Sequence, residues 1–165
     1  MIDFSADKRE QLKAFAAQTS GDILASLVLI KGRANATERT GSAPFSGADG
    51  LALDKAIGSL GWGYGSQDTR TWFGVLLPLS PDDLRFICEV VDPLALVSLD
   101  EEARVALIEA FGATEEGLAE KLTSGAETWV LGRQVVSVEG FEAALDDATT
   151  KQKVWAQLKR CAASR

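Results

Sequence analysis

Apolar and polar positions divide the chain into alternating helical and extended segments. Residues 5–19 place Leu12, Phe15 and Ala16 at helical spacing behind a capping Ser5, which predicts an amphipathic helix. Ser26–Lys31 (SLVLIK) is a continuous apolar run, too short for a helix and suited to a strand buried on both faces. A loop rich in Gly, Ala, Thr and Ser runs from Gly32 to Gly50. Leu51–Leu60 then reads as a short helix closed by Gly61. Arg70–Leu77 and Leu94–Leu99 are two further apolar strands. Between them, Ser80-Pro81-Asp82-Asp83 opens a helix with a serine cap, a proline at the first helical position and acids in the first turn. Pro93 ends that helix. Asp100–Phe111 is the next one, stopped by Gly112, and Thr114–Leu122 is shorter. Thr128–Leu131 and Gln134–Val138 read as a hairpin around Gly132-Arg133. Lys151–Ala162 is a final helix with Val154, Leu158 and Cys161 on one face. Strands alternating with helices predict one α/β domain over residues 1–165, its mainly parallel sheet covered on both sides.

Composition narrows the chemistry more than it names it. With 46% hydrophobic and 25% charged residues, the chain of 165 can fold around its own core. Its net charge is −7, and the charge is unevenly spread. Residues 1–79 carry 8 basic and 8 acidic side chains, residues 80–147 carry 4 and 16, and residues 148–165 carry 5 basic and no acidic ones. Any phosphate-binding surface therefore belongs to the neutral first half or to the basic last helix, where Lys151, Lys153, Lys159 and Arg160 either touch phosphates or form a solvated face. The absence of histidine removes Ser-His-Asp and Cys-His nucleophile chemistry, imidazole bases and His-ligated metals. Cys88 and Cys161 alone cannot hold a zinc ion or an iron–sulfur cluster, so no cofactor is expected. The doublets Asp82-Asp83, Glu101-Glu102 and Glu115-Glu116 fall in predicted first helical turns, where the macrodipole favours acids, and no metal is expected there. The N-terminal residues lack the apolar core of a signal peptide, and Ile23–Ile30 is too short to span a bilayer. A cytoplasmic protein with reduced cysteines and no membrane partner is the expectation.

The strongest local pattern is Gly41-Ser42-Ala43-Pro44-Phe45-Ser46-Gly47-Ala48-Asp49-Gly50, followed by Leu53-Asp54. Such a glycine-rich loop suits close approach of backbone to a ligand, and amides at the helix start after Gly50 can receive a phosphate. Phe45 either stacks on a flat ring or plugs the core. The two aromatics of Gly61-Trp62-Gly63-Tyr64-Gly65 likewise either stack on bases or pack over the sheet edge. The order strand–loop–GxxPFxGxxGxxLD–helix resembles the uracil-DNA glycosylase superfamily, especially its branch with a GEAPG motif. The block from Asp92-Pro93-Leu94 to Glu102-Ala103 is similar to that family's "P-x-x-I-V-x-L-G-x-x-A" strand and helix. Gly132-Arg133-Gln134-Val135-Val136, with Leu145, Lys151, Trp155 and Leu158, resembles its closing stretch. The three blocks stand in the family's order and cover most of residues 26–160.

The resemblance implies a three-layer α/β/α sandwich with a central four-stranded, mainly parallel sheet. It also implies a pocket for a flipped base, in which Phe45 stacks and Gly32, Arg33, Pro44, Gly47, Gly140 and Phe141 contribute. The chain departs from the family where the chemistry sits. Arg33 stands in place of the acid after the first glycine, Asn35-Ala36 in place of Pro-Gly, and Gly140 in place of the histidine that stabilises the leaving base. Loss of one such donor costs about 10²–10³ in rate. Asn35 can orient a water while Arg33 stabilises the anionic leaving base, or Glu139 or Glu142 can enter from the old histidine loop as acid or base; Arg33 otherwise pairs with Glu38 or Glu139. The expectation is a glycosylase-like protein that is inactive or diverged and keeps a pocket for a base or nucleotide. The alternatives are an active glycosylase on uracil or another damaged base, with DNA as its partner, and a protein-interaction module using the acidic face.

Overall fold

A computed structural model of the chain describes residues 4–62 and 70–163, so Tyr64 lies outside the described residues. One sheet holds β1 (Thr19–Gly21), β2 (Leu27–Lys31), β3 (Phe73–Leu76), β4 (Ala95–Ser98), β5 (Glu127–Val130) and β6 (Arg133–Ser137), in the order β1-β3-β2-β4-β6-β5. The strands β3, β2, β4 and β6 are parallel, and β1 and β5 add antiparallel edges. The expected four-stranded sheet is thus corrected to six strands of mixed direction. β1 escapes sequence reading because it has three residues, no apolar alternation, and follows directly on a helical pattern.

Alternation along β2 explains why its run is apolar throughout. Val28 and Ile30 face one core, with Leu84, Ile87 and Val91 of α4 (Pro81–Val91) and Leu107 and Phe111 of α5 (Glu101–Phe111). Leu12 of α1 (Phe4–Leu12) and Leu118 of α6 (Leu118–Lys121) join that side. Leu27 and Leu29 face the second core, with Leu53 and Ile57 of α3 (Ala48–Ser59), Phe141 and Ala144 of α7 (Phe141–Ala144), and Val154 and Leu158 of α8 (Ala148–Ala163). Each fully buried Val, Leu, Ile or Phe among them contributes about 1.5–3 kcal/mol.

The capping signals hold at two helices. Ser80 Oγ accepts the Asp83 N–H, and the Asp100 carboxylate accepts that of Ala103. Elsewhere the boundaries move. The first helix ends at Leu12, and Lys13–Gln18 tightens into a 3₁₀ turn in which Phe15 leaves helical geometry. Ser5 lies inside α1 and is not its cap. Glu115 and Glu116 precede α6 rather than opening it. The hairpin turn is Leu131-Gly132, one residue earlier than expected. Both residues have positive φ (50° and 82°), as a two-residue turn that matches the twist of its strands requires. Cys88 and Cys161 are free and buried, one in each core, and burial pushes both thiols up to about 12. Among the described residues no helix is long and apolar enough to cross a membrane.

The chain order of the sheet positions the site. From β2 the chain crosses to β3 on one side, then returns to place β4 on the other. Open α/β sheets take ligands outside the carboxyl ends of the strands where such a reversal occurs. Here that point lies beyond Lys31 and Ser98.

Candidate functional site

Lys31 ends β2 and is only 3% exposed. Its ammonium donates to the Asp49 carboxylate from the first turn of α3 and lies 2.6 Å from Glu38 Oε1 in α2 (Ala36–Arg39). Glu142 Oε1 of α7 is 3.7 Å away. Burial by itself lowers the pKa of Lys31, but the hydrogen bonds and charges of Asp49 and Glu38 outweigh it and hold the group above its ordinary 10.5. Lys31 is therefore a fixed cation, unsuited to act as an amine nucleophile or a base.

The neighbouring loop is built around the same acids. Glu38 and Asn35 form a reciprocal capping box: Asn35 Oδ1 accepts the Glu38 N–H, and Glu38 Oε1 accepts the Asn35 N–H. Glu38 Oε2 accepts the Phe45 N–H at 2.8 Å. Phe45 itself has φ of 62° and a ring wholly removed from solvent. That ring meets Trp72 edge-on at 5.2 Å, and a Cβ added at Gly74 would stand 2.6 Å from it. A ligand ring cannot reach Phe45 in this arrangement, so the expected stacking platform is corrected to a core plug, one of the two readings of that loop. Pro44 is buried beside it, its carbonyl accepting the Ser20 hydroxyl. α3 starts at Ala48 with Gly47 as its N-cap, so the amides after Gly50 lie inside the helix, that of Leu51 donating to the Gly47 carbonyl, and the expected phosphate seat there is corrected.

A cavity of about 500 Å³ opens at the switch point, lined by Lys31, Arg33, Asp49, Leu99, Asp100, Glu101, Glu102 and Gly140–Ala143. It brings together four of the expected residues: Arg33, Gly140, Phe141 and Glu142. Asn35 stands behind them, donating from Nδ2 to Glu142 Oε1 at 2.6 Å. Both ends of the Asn35 amide are thus engaged, one in the cap and one in this contact. Gly32 is close by, but its N–H is taken by the Asp100 carboxylate, which also accepts the Arg33 and Ala103 N–H groups. A Cβ at Gly32 would fall 2.3 Å from the Glu102 Cβ, so glycine there lets β2 approach α5. The Arg33 side chain is 76% exposed and pairs with Glu102 at 2.9 Å, not with Glu38 or Glu139.

Glu139 is removed from the site. Its carboxylate pairs with Lys153 at 2.9 Å and its N–H donates to Gln157, both on α8. Trp62 is buried in the second core, as its packing alternative expected. Sequence reasoning missed Lys31, Glu38 and Asp49. The Asn35-x-x-Glu38 spacing is a capping-box signature and would have marked α2; nothing local marks a strand-end lysine as buried.

What remains unmet at the site is specific. Asp49 is 2% exposed, one oxygen is held by Lys31, and Oδ1 has no hydrogen-bond partner. Among the described residues no three His, Cys, Asp or Glu side chains are grouped to hold a metal ion. No protein family's sequence profile matches this chain, and no curated protein matches it in sequence.

Proposed function

We propose that this chain is a uracil-DNA glycosylase-like domain that no longer breaks glycosidic bonds and keeps its switch-point crevice as a small-ligand site. The observation that carries this reading is the fate of the side chains at the family's reacting positions. The acid is replaced by Arg33, tied outward to Glu102, and the histidine by Gly140, which has no side-chain donor. Phe45, the base platform by resemblance, is sealed under Lys31 and against Trp72. The Arg33 guanidinium, paired outward with Glu102, has no acceptor with which to take a proton from water. The parallel order β3-β2-β4-β6 and the crevice at its reversal agree with a ligand-binding α/β sheet. Two free buried thiols suit a reducing compartment, and on that ground we assign the chain to the cytoplasm.

One contact favours a second reading, in which base excision survives. The Asn35–Glu142 pair at the crevice edge joins an amide and an acid at 2.6 Å, the two groups a relocated water-activating site needs. Base release from uracil-containing single- and double-stranded oligonucleotides separates the two. The first reading predicts no free uracil above the background of a heat-inactivated sample. Release that Asn35→Ala or Glu142→Gln abolishes would establish the second.

A further inference from the structure

We infer that the groove between α3 and α8 binds the anion of a medium-chain fatty acid, with its alkyl chain on the apolar lining and its carboxylate between Lys55 and Lys151. This is independent of the reading of the switch-point crevice, with which the groove shares only Phe141 among its lining residues.

The groove arises because two helices cover the same face of the sheet without closing on each other. Leu51, Ala52 and Ala56 line it from α3, and Trp155 from α8. Alanine side chains on the α3 side are too short to fill the distance to α8. Val154 and Leu158, buried in the second core, complete an apolar lining. The cavity is about 740 Å³, within the roughly 300–1,000 Å³ of small-molecule sites. Leu51 is 50% exposed there, so an occupant with apolar surface gains by covering it.

Charge selects the head group. Among the described residues the only ionisable groups lining the groove are Lys55 and Lys151, one from each helix. No carboxylate lines it, in a chain whose acids outnumber its bases by 24 to 17. These two lysines also differ from the rest. Lys13, Lys31, Lys121 and Lys153 pair with carboxylates, Lys8 donates to the Val91 carbonyl, and Lys159 lies over the Trp155 ring. Among the described residues the Lys55 and Lys151 ammonium groups have no such partner. A carboxylate entering from solvent therefore meets two cations and displaces no existing ion pair. An amine is repelled by both, and a neutral amphiphile gains the apolar contact alone.

The test is calorimetric titration of the full chain with octanoate, decanoate and dodecanoate below their micellar concentrations. Dodecylammonium, dodecyl maltoside and dodecyl phosphate serve as comparison probes. Dodecanoate is expected to bind saturably at or below about 1 mM, with amide NMR shifts concentrated at residues 51–59 and 144–158. Burial of one methylene is worth about fourfold in affinity, so each step of two along the series should tighten binding at least about threefold. The double variant Lys55→Gln, Lys151→Gln changes two exposed side chains and is expected to weaken dodecanoate about fivefold while leaving dodecyl maltoside unchanged. The double variant Lys55→Glu, Lys151→Glu should reverse the preference toward dodecylammonium. Affinity that ignores chain length, or that is unchanged in the glutamine variant, would overturn the inference. So would tighter binding of any comparison probe than of dodecanoate to the wild type. A sedimenting dimer that Leu51→Lys dissociates would make a second copy the occupant and refute it. An acidic amphipathic helical peptide that binds there when no amphiphile does would refute it as well. Binding of none of these probes would end it and leave the crevice reading untouched.

Discussion

At the scale of single residues, Lys31 organises the site. It is a buried cation between two buried carboxylates, and removing one member of such a group leaves the others uncompensated. Lys31→Met is expected to lower stability by about 3–5 kcal/mol, read from urea unfolding at neutral pH. The triple exchange Lys31→Met, Glu38→Gln, Asp49→Asn removes the charges together and should recover much of that loss. A triple variant no more stable than Lys31→Met would show that the loss comes from packing and not from stranded charge. Asn35→Ala removes the cap of α2, with a cost of about 1 kcal/mol by the same measurement. These residues show where sequence reading stops. SLVLIK is legible as a buried strand because apolar content alone identifies it. That its terminal lysine turns inward depends on Glu38 and Asp49, whose approach is a property of the folded loop. Phe45 was open between stacking and plugging for the same reason: the choice is made by Gly74 and Trp72 on another strand.

At the scale of elements, the loop between β2 and α3 is closed by backbone proximity that only glycine permits. A Cβ at Gly50 would lie 1.8 Å from the Phe45 carbonyl oxygen and 2.3 Å from Arg70 Nη2. Gly50→Ala therefore displaces the Phe45 carbonyl from Arg70, and we expect a loss of at least about 1–3 kcal/mol in thermal or chemical unfolding. A wild-type melting temperature in this variant would mean that the loop and α3 are not packed as described. Helices with strong end signals were legible: Ser80-Pro81 and Asp100 open α4 and α5 as their chemistry demands. The short elements α2 and α7 were not, since four residues carry too little periodicity to be seen. The same shortness hid β1, so the sheet's antiparallel first edge was absent from the expectation.

At the scale of the whole molecule, two cores on opposite faces of one sheet each hold a neutral thiol. Burial pushes the Cys88 and Cys161 thiols up to about 12 in the fold, above their ordinary 9.0. The folded chain thus keeps protons that the unfolded chain releases, so this stability is complete below pH 9 and declines as pH rises toward 12. Lys31, raised above 10.5, adds to the decline at still higher pH, since its ion pairs need the protonated form. Between pH 9 and 10.5, Cys88→Ala should reduce the pH slope of the unfolding free energy by about half, as one of two linked protons is gone. An unchanged slope would contradict the burial of that thiol.

Charge at the same scale bears on the proposal that this chain no longer acts on DNA. Residues 80–147 carry 16 acidic and 4 basic side chains, and the crevice continues that excess to the ends of the parallel strands. Phosphate neutralisation supplies most non-specific affinity for DNA. Fluorescence anisotropy of a labelled uracil-containing single strand, followed against salt concentration, measures this directly. A domain turned away from base excision should give no saturable binding even at low salt. Tight binding whose logarithm falls steeply with the logarithm of salt, the mark of several phosphate contacts, would contradict it.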